Sequence, residues 1–243
     1  MKAMLLAAGL GTRLKPLTNN KPKALVKLGG MTLLERAIRL LKQYGVEAVI
    51  LNIHHFGDQV ARFLEEKNGF DIPIALSDES ERLLGTGGGL KKAAWFFEGG
   101  APFLVYNVDV LTDIDLGLFY QKHLEEPCLA TLALRHRPSS RCFLFDEKMQ
   151  LAGWRNRKTG QTRWCKTPVE PVDELSFSGI QILDPAIFDH FPEDDVFSLV
   201  ELYLQAGASE KICGFLHDDS LWMDAGKTDD LQKAERLAQS LNQ

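Results

Sequence analysis

Short apolar runs alternate with amphipathic segments in the first half of the chain. The run from Ala3 to Leu6 leads into Ala-Ala-Gly, which is typical of a buried parallel strand that enters a loop. Thr32 and Glu35 form a capping-box pattern, and the apolar positions after them recur at helical spacing as far as Gly45. Because strand-like and helix-like segments keep alternating to about residue 134, the pattern predicts a mostly parallel sheet with helices on both faces.

The same pattern predicts the positions of the other elements. In the first half it predicts strands at 47–52, 72–76, 103–108 and 128–134, and helices from 58, at 90–97 and at 116–126. The second half is less regular, with strands predicted at 143–145, 151–154 and 180–183 and an amphipathic helix at 228–241. The basic, turn-rich sequence at 155–166 forms either a hairpin over a cleft or a solvated loop. The fold class is therefore α/β, with one Rossmann-like domain over residues 1–243.

Charge and hydrophobicity exclude two classes of partner. With 243 residues and a formal net charge of −5, the chain lacks the basic balance typical of nucleic-acid binding. No apolar run reaches the length of a membrane span, and the short apolar start lacks a small-residue cleavage site. We therefore expect a cytoplasmic protein with no nucleic-acid and no membrane partner.

The cysteine spacing argues against a structural metal. Cys128, Cys142, Cys165 and Cys213 are widely spaced, and none belongs to a Cys-x-x-Cys pair. We expect all four to be buried or half-buried thiols in a reducing cytoplasm.

A glycine-rich turn follows the first predicted strand and carries the strongest chemical signal. Its backbone N–H groups can approach phosphate oxygens closely. Arg13 offers a planar fork to two such oxygens, and Lys23 adds a compact charge. The turn is neither a Walker A loop nor a dinucleotide fingerprint, because the third glycine of the latter is Leu14 here. The residues expected around a phosphate chain are Leu6, Ala7, Ala8, Gly9, Gly11, Thr12, Arg13 and Lys23.

Asp109 lies in a position suited to a hard cation. Asp109 follows the strand predicted at 103–108, and ligands of open α/β sheets collect at the carboxyl ends of strands. Asp224 lies in the segment Trp-Met-Asp-Ala-Gly-Lys at 222–227. An isolated aspartate of this kind is usually a turn former or helix cap, so the metal hypothesis depends on both motifs together.

These motifs resemble those of the sugar-1-phosphate nucleotidylyltransferases, and the resemblance extends along almost the whole chain. The matching segments are Leu-Ala-Ala-Gly-x-Gly-Thr-Arg at 6–13, Lys-Pro-Lys at 21–23, Asn-x-Asp at 107–109 and Trp-x-Asp-x-Gly at 222–226. The resemblance implies that the first turn wraps a nucleoside triphosphate, that Arg13 holds the departing pyrophosphate and that Lys23 contacts the α-phosphate. It also implies that Asp109 and Asp224 hold Mg²⁺. Val108 departs from the Asn-Gly-Asp that is usual in the family and is expected to crowd the cleft locally.

The resemblance also assigns the base and sugar contacts. The loop at 84–90 would recognise the nucleobase, through Gly85, Thr86 and Gly87. The sugar contacts would be Asn107, Lys166, Ser178 and Gly179, with Arg155, Arg157, Lys158 and Arg163 as alternatives to Lys166. The expected halves are a nucleotide-binding half at 1–135, a sugar-binding half with a smaller β subregion at 136–227 and a C-terminal helix at 228–243.

The expected reaction joins a nucleoside triphosphate to a sugar 1-phosphate and releases pyrophosphate. The first expected pair is UTP with N-acetylmuramate 1-phosphate, in bacterial cell-wall recycling, and the alternative pair is GTP with mannose 1-phosphate. Two other classes stay open. A metal-dependent glycosyltransferase would use the Asp-x-Asp at 113–115, although these residues also suit a helix cap. A non-catalytic sugar-nucleotide sensor would bind without turnover. The sequence leaves oligomerisation open.

Overall fold

The computed structural model describes residues 1–168, 170–226 and 231–241. Within these ranges the strands are β1 (Lys2–Leu6), β2 (Lys27–Leu28), β3 (Met31–Thr32), β4 (Ala48–Ile53), β5 (Ile74–Asp78), β6 (Phe103–Asn107), β7 (Val110–Thr112), β8 (Ala130–Arg135), β9 (Arg141–Phe145), β10 (Leu151–Asn156), β11 (Thr162–Trp164), β12 (Asp173–Leu183), β13 (Ile212–Leu216) and β14 (Trp222–Asp224). The α-helices are α1 (Leu33–Gln43), α2 (Gly57–Glu66), α3 (Gly85–Lys92), α4 (Leu116–Glu125), α5 (Leu199–Ala206) and α6 (Leu231–Ser240). Short 3₁₀ turns connect several of these elements.

One central sheet organises the chain. Strands β6, β1, β4 and β5 lie side by side and parallel, as predicted for the first half. Strand β12 extends this sheet antiparallel to β6, and it also pairs with β8 and β9. Strands β10 and β11 continue from β9, and β13 pairs parallel with β8. The parallel core is thus confirmed, and every antiparallel pair of this sheet contains at least one of the strands β9 to β12.

The alternation along β1 shows how the sheet is covered on both faces. Ala3 and Leu5 belong to one buried cluster, which also contains apolar residues of α1, α2 and α4. Met4 points the other way, into a cluster with α3 and α5. Since side chains of a strand alternate between faces, each face of β1 needs its own helical layer. The prediction of helices on both faces is confirmed.

The local signals for α1 act as predicted. The side chain of Thr32 accepts a hydrogen bond from the backbone N–H of Glu35 at 3.1 Å, which caps the helix. The helix predicted at 90–97 differs, because α3 begins earlier at Gly85 and a 3₁₀ turn at Ala94–Phe97 follows it. The strand predicted at 180–183 is only the last part of β12. The segment at 155–166 belongs to the β10–β11 hairpin, so the predicted hairpin is present. Residues at its end line a cavity separate from the one around Asp109, so the hairpin is not confirmed as a cover over that cleft.

The C-terminal helix packs against the first glycine-rich segment. Ala234 and Ala238 of α6 lie in a third cluster with Leu14 and Ala225. The amphipathic helix predicted at 228–241 is therefore present as α6, while 228–230 and 242–243 lie outside the described residues. The helix braces both the glycine-rich turn and the segment that follows Asp224.

The expectation of four free thiols is wrong for two of the cysteines. Cys128 and Cys213 form a disulfide with a Cα–Cα distance of 6.1 Å, because the pairing of β8 with β13 brings their neighbourhoods together. Cys142 and Cys165 are free, and burial raises the pKa of each thiol to about 11. Among the helices of the described residues, none has both the length and the apolar character that crossing a bilayer requires.

Candidate active site

A cleft of about 280 Å³ opens where β1, β4 and β6 end. Parallel strands end at the same edge of a sheet, so residues that follow different strands meet there. We call residues 7–13 the first glycine loop. Residues 84–87, which include the first residues of α3, are called the second glycine loop. The cleft is lined by Leu6, Ala7, Ala8, Gly9, Lys23, Asn52, Glu79, Leu83, Gly85, Thr86, Asn107, Val108 and Asp109.

The first glycine loop uses its two glycines differently. Gly11 has a φ of 63°, which favours glycine, and a Cβ there would lie 3.1 Å from the Cβ of Lys23. The hydroxyl of Thr18 donates to the carbonyl of Gly11 at 2.9 Å and holds this turn. A Cβ on Gly9 would meet nothing within 4 Å, although Gly9 lines the cleft. The loop is thus closed on its Lys23 side and open toward the cleft.

A two-stranded sheet brings the distant aspartates together. Strand β14 pairs antiparallel with β7, so that Asp224 is opposite Val110. The backbone N–H of Ala225 then donates to the carbonyl of Asp109 at 2.9 Å. Lys23 forms an ion pair with Asp109, and the two side chains are only 11% and 14% exposed. Three motifs that are far apart in the sequence therefore meet at one point.

The electrostatics of this point favour an added cation. Burial raises the pKa of Asp109; the adjacent charge of Lys23 opposes this shift and the Asp224 carboxylate adds to it. Burial also acts on Asp224, but the pKa of Asp224 is lowered overall through its contacts with Asp109 and the N–H of Gly226 and through the charges of Lys23 and Arg13. Two neighbouring carboxylates are thus held in a largely buried place with one lysine beside them.

The close surroundings of residue 226 explain why the Trp-x-Asp-x-Gly motif ends in glycine. Its N–H donates to Asp224 Oδ1 at 2.7 Å. A Cβ at this position would lie 2.6 Å from Asp224 Oδ1, 2.8 Å from Lys23 Nζ and 3.0 Å from Asp109 Oδ2. The backbone of Gly226 therefore covers all three charged groups so closely that a side chain at this position would require them to shift.

The second glycine loop is packed more tightly than predicted. Gly85 and Thr86 line the cleft, but Gly87 does not. The N–H of Gly87 donates to the carbonyl of Phe197 at 3.0 Å, and a Cβ on Gly87 would overlap the Phe197 ring. Thr86 Oγ1 accepts from the N–H of Leu199 at 3.0 Å. Gly87, expected at the nucleobase, serves the packing of α3 against the segment before α5.

Two buried residues of the cleft were missed by the motif analysis. Asn52 ends the apolar part of β4 and is 3% exposed, and Glu79 follows β5 and is 1% exposed. Both line the cleft between the two glycine loops. The signal for Asn52 was a polar residue at the carboxyl end of an apolar strand, but Glu79 lies in a polar stretch without such a signal.

The chain is similar in sequence to known nucleotidyl transferases. A family model for nucleotidyl transferases matches residues 2–143. The chain is 32% identical over 244 residues to the N-acetylmuramate alpha-1-phosphate uridylyltransferase of Neisseria meningitidis serogroup B, covering 98% of each chain. The chain belongs to the sugar-1-phosphate nucleotidylyltransferase family.

Two further similarities widen this picture of the family. The chain is 29% identical over 240 residues to the mannose-1-phosphate guanyltransferase of Aspergillus oryzae, covering 95% of this chain and 62% of that protein. The structure resembles that of HddC from Yersinia pseudotuberculosis complexed with GMP-PN, with a TM-score of 0.77, 24% identity and coverage of 97% and 98% of the two chains. This last likeness concerns the fold.

The position at which the chain departs from the family's Asn-Gly-Asp lies at the base of the cleft. Val108 is 3% exposed and belongs to the buried cluster beneath α1 and α4. Its N–H donates to the carbonyl of Leu6 at 3.2 Å, which joins β6 to β1 beyond their last paired residues. Val108 also lines the cleft, so its side chain adds an apolar wall there.

Of the residues predicted to contact the sugar, some lie at the cleft and others do not. Gly179 has a φ of 78°, and a Cβ there would lie 2.8 Å from Asn107 Nδ2, so Gly179 leaves room for Asn107 in the cleft. Ser178 is fully buried, and its hydroxyl bonds to His217 Nε2 at 2.7 Å. Its carbonyl accepts from the indole N–H of Trp222 at 2.8 Å. Ser178 thus supports the strand next to Asp224 and does not face the cleft.

Lys166 is not brought to this cleft. It is exposed and lines a separate cavity of about 130 Å³ that shares no lining residue with the cleft around Asp109. After the β10–β11 hairpin, Lys166 lies in the same cavity wall as Gly207 and Ile212, at the start of β13. Three of the four alternative cations have carboxylate partners. Arg157 bonds to Glu174 at 2.6 Å, and Arg163 bonds to Glu201 at 2.6 and 2.7 Å. Arg155 also bonds to Glu174, and Lys158 is exposed in the hairpin turn.

Arg137 is the cation that the sequence reasoning missed. Its guanidinium lies 4.4 Å from the centroid of Trp222, and its Nη2 donates to the carbonyl of Phe177 at 3.0 Å. Burial lowers its pKa, and the carboxylate of Asp224 opposes that shift. Within the described residues its buried Nε has no hydrogen-bond partner. A fixed, half-buried cation therefore lies on the Asp224 side of the site.

A larger cavity of about 610 Å³ lies elsewhere, between α1 and the end of α6. Its walls include Arg39, Tyr44, Thr112 and Leu241, and none of the residues predicted for nucleotidyl transfer. Asp113, from the Asp-x-Asp of the rival glycosyltransferase hypothesis, also lines it. The smaller cleft is the candidate site because the predicted loops and charged side chains meet there.

His217 is expected to make folding stability depend on pH. Burial lowers its pKa to about 4 from the usual 6.5, so the unfolded chain binds a proton that the folded chain does not bind between these values. The stability is present above about pH 6.5 and is lost as the pH falls toward 4. The loss reaches about 2 kcal/mol at pH 5. Urea unfolding at pH 7 and pH 5 checks this, with His217→Gln expected to show a smaller difference; an equal difference in both proteins would contradict the assignment.

Proposed function

We propose that this enzyme transfers the uridylyl group of UTP to N-acetylmuramate 1-phosphate and releases pyrophosphate. The observation that carries the proposal is the meeting of Lys23, Asp109 and Asp224 beside the open first glycine loop. The substrate pair is supported by the Neisseria relative, which matches over 98% of both chains, whereas the guanyltransferase relative is covered over only 62% of its length. GTP with mannose 1-phosphate is the competing pair.

The proposed reaction needs no covalent intermediate. An oxygen of the sugar 1-phosphate attacks the α-phosphorus of the triphosphate, the bond to the β-phosphate oxygen breaks, and pyrophosphate leaves with the bonding electrons. The attacking phosphate is already an anion, so no general base is required. Catalysis therefore rests on positioning and charge neutralisation by the residues of the cleft.

Each charged residue has a proposed role. Backbone N–H groups of the first glycine loop, from Ala7 to Thr12, would hold the triphosphate. Lys23 lies at the inner side of that loop and would contact the α-phosphate as charge develops there. Arg13 is exposed at the loop's end and would hold the departing pyrophosphate. Gly85 and Thr86 would face the base.

The donor set fits a hard divalent cation. Asp109 and Asp224 offer only carboxylate oxygens, in adjacent and largely buried positions, which are the ligands that Mg²⁺ prefers. We propose that these two residues hold Mg²⁺. When bound, the ion would neutralise charge on the triphosphate.

We propose Arg137, rather than Lys166, as the contact for the phosphate of the sugar 1-phosphate. Stacking on Trp222 fixes the guanidinium plane, and the charge of Arg137 lies on the Asp224 side of the site. Asn107, beside Gly179, would bond a sugar hydroxyl. In this scheme residues 1–135 hold the nucleotide, and residues 136–227 together with Asn107 hold the sugar. A cytoplasmic location, where both substrates are available, belongs to the same proposal.

Pyrophosphate release with Mg²⁺ tests the function directly. UTP, GTP, dTTP and CTP are each combined with the 1-phosphates of N-acetylmuramate, mannose and glucose. A rate for UTP with N-acetylmuramate 1-phosphate well above all other pairs is expected. A higher rate with GTP and mannose 1-phosphate would replace the substrate pair. Nucleotide binding without turnover in any combination would support a sensor, and transfer from a ready-made nucleotide sugar would support a glycosyltransferase.

Substitution of Arg137 tests the sugar-phosphate contact. Arg137→Gln is expected to raise KM for the sugar 1-phosphate on the order of tenfold or more, since a charged hydrogen bond is lost. KM for the triphosphate is expected to change little. Arg62→Gln, an exposed position on α2, serves as the control. Equal changes in both KM values, or none in either, would show that Arg137 only supports Trp222.

A further inference from the structure

Asn52 joins the first glycine loop to the floor of the cleft. Its Oδ1 accepts hydrogen bonds from the N–H of Ala7 at 2.7 Å and of Ala8 at 3.3 Å. Its Nδ2 donates to Oε1 of Glu79 at 2.8 Å. The amide therefore faces the loop with its acceptor and Glu79 with its donor, and this orientation follows from its partners.

Glu79 continues the connection to the second glycine loop. Its Oε2 accepts from the N–H of Leu84 at 3.0 Å, directly before Gly85. A Cβ on Gly89 would lie 2.6 Å from Glu79 Oε1 and 2.9 Å from Asn52 Nδ2, so helix α3 presses its backbone against the pair. The connection thus runs from Ala7 through two buried side chains to the start of the second loop.

The burial of this pair makes its donor–acceptor order strict. Asn52 is 3% and Glu79 1% exposed, and a buried carboxylate is costly unless its oxygens accept hydrogen bonds. Asn52 donates to Glu79, and Glu79 accepts from Asn52 and Leu84. Replacing only one of the two side chains by its acid or amide counterpart would place two donors or two acceptors opposite each other. The two loops that line the cleft are therefore held in one relative arrangement.

We propose that Asn52 and Glu79 are positioning residues that fix the two glycine loops for simultaneous binding of a triphosphate and its base. This inference rests on the proposed function only in taking a nucleoside triphosphate as the ligand. The pair acts through the loop backbones and not by contact with the reacting atoms. Affinity for the intact nucleotide then depends on the order of donors and acceptors within the pair.

Exchanging the amide at position 52 and the acid at position 79 tests this proposal. In N52D, two carboxylates face each other, and in E79Q, an amide N–H₂ faces either Asn52 Nδ2 or the N–H of Leu84. In the double variant N52D/E79Q the order is restored, because the introduced carboxylate accepts from the loop N–H groups and from the introduced amide, whose oxygen accepts from Leu84. Glu66→Gln on the exposed end of α2 is the control for loss of an acid.

The expected result is a rise in KM for the triphosphate in both single variants, on the order of tenfold, with KM for the sugar 1-phosphate unchanged. The double variant is expected to lie closer to the wild type than either single variant, and E66Q to equal the wild type. A purely structural role would lower the active fraction, and so kcat, without this split between the two KM values. A double variant whose loss equals the combined losses of the single variants would overturn the proposal.

Two further outcomes remain decisive. If the single variants do not fold, the double variant is still expected to fold and to bind nucleotide, and its failure to fold would overturn the proposal. If the wild type binds UTP or GTP but releases no pyrophosphate, the proposed reaction fails. The same four proteins titrated with that nucleotide then test the positioning pair by dissociation constants alone, with the same order expected.

Discussion

Asp109→Asn is expected to slow pyrophosphate release by at least about a hundredfold while the melting temperature stays the same or rises. Removal of one preorganised electrostatic group at a reacting centre costs about 2.7–4 kcal/mol of transition-state stabilisation. The carboxylate is also one of the two proposed ligands of Mg²⁺. Lys23→Ala is expected to reduce the rate similarly, since Lys23 pairs with Asp109 beside the cleft.

The expected stability has a separate cause. Burial and the neighbouring Asp224 raise the pKa of Asp109, which means that its charged form is unfavourable in the folded protein. The neutral amide of the variant removes this cost, as is common for groups kept for function. Thermal unfolding in EDTA checks it, and a large fall in melting temperature would show that Asp109 serves folding.

Asp113→Asn is the matched control and also tests the rival glycosyltransferase. Asp113 Oδ1 accepts from the N–H of Leu221 at 2.7 Å, and Asp115 caps α4 through Leu118 at 2.9 Å, so both have structural partners. An amide at 113 keeps the acceptor, and activity is expected to be normal. Loss of activity in Asp113→Asn together with normal activity in Asp109→Asn would reverse the assignment.

Gly226→Ala is expected to reduce activity by at least about a hundredfold, although the change adds a single methyl group. The new Cβ would fall within 3.0 Å of Asp224, Lys23 and Asp109, so at least one charged group must move. Displacement of about 1 Å at a catalytic group costs on the order of a hundredfold in rate. Because the three groups belong to separate motifs, the backbone of Gly226 is what fixes their common geometry.

Gly117→Ala is the control for this substitution. Its Cβ would meet the Asp115 carboxylate at 3.2 Å, which must shift by a few tenths of an ångström, and the Tyr44 ring at 3.6 Å, an ordinary contact. Neither residue lines the cleft. Steady-state rates and melting temperatures of both variants are compared with the wild type. A Gly226→Ala enzyme of normal rate would mean that the charged groups rearrange freely, contrary to the geometry described.

The first half of the fold was predictable because its strands are mostly buried on both faces and its helices carry clear signals. The run at Ala3–Leu6 predicts only a strand, and the cap at Thr32 predicts only the start of a helix. Both elements lie within a residue or two of their expected places. The second half was less predictable. Strand β12 carries a register shift between Phe177 and Gln181, and such a bulge breaks the alternation on which strand prediction depends.

Site residues that belong to a sequence motif could be predicted. Residues whose position depends on how distant strands pair could not. Asp109, Asp224 and Lys23 meet as the family pattern implies. Lys166 does not join them, because the hairpin that carries it points toward β13, whereas the packing of Arg137 on Trp222 depends on strand pairing that no local pattern shows. Glycine content was equally ambiguous: Gly9 leaves open space for a ligand, while Gly87 makes room for the ring of Phe197.

The pairing of β7 with β14 has a consequence for the growing chain. As synthesis proceeds from the amino terminus, the first glycine loop, Lys23 and Asp109 are available early, and domains begin to form as their segments emerge. Asp224 and the covering backbone of Gly226 arrive only when β14 docks on β7. An unfinished chain that stops before residue 222 therefore contains the loop that surrounds the cleft but lacks its second carboxylate. Onset of activity is expected to coincide with the docking of this late strand, which makes it a reporter of completed folding.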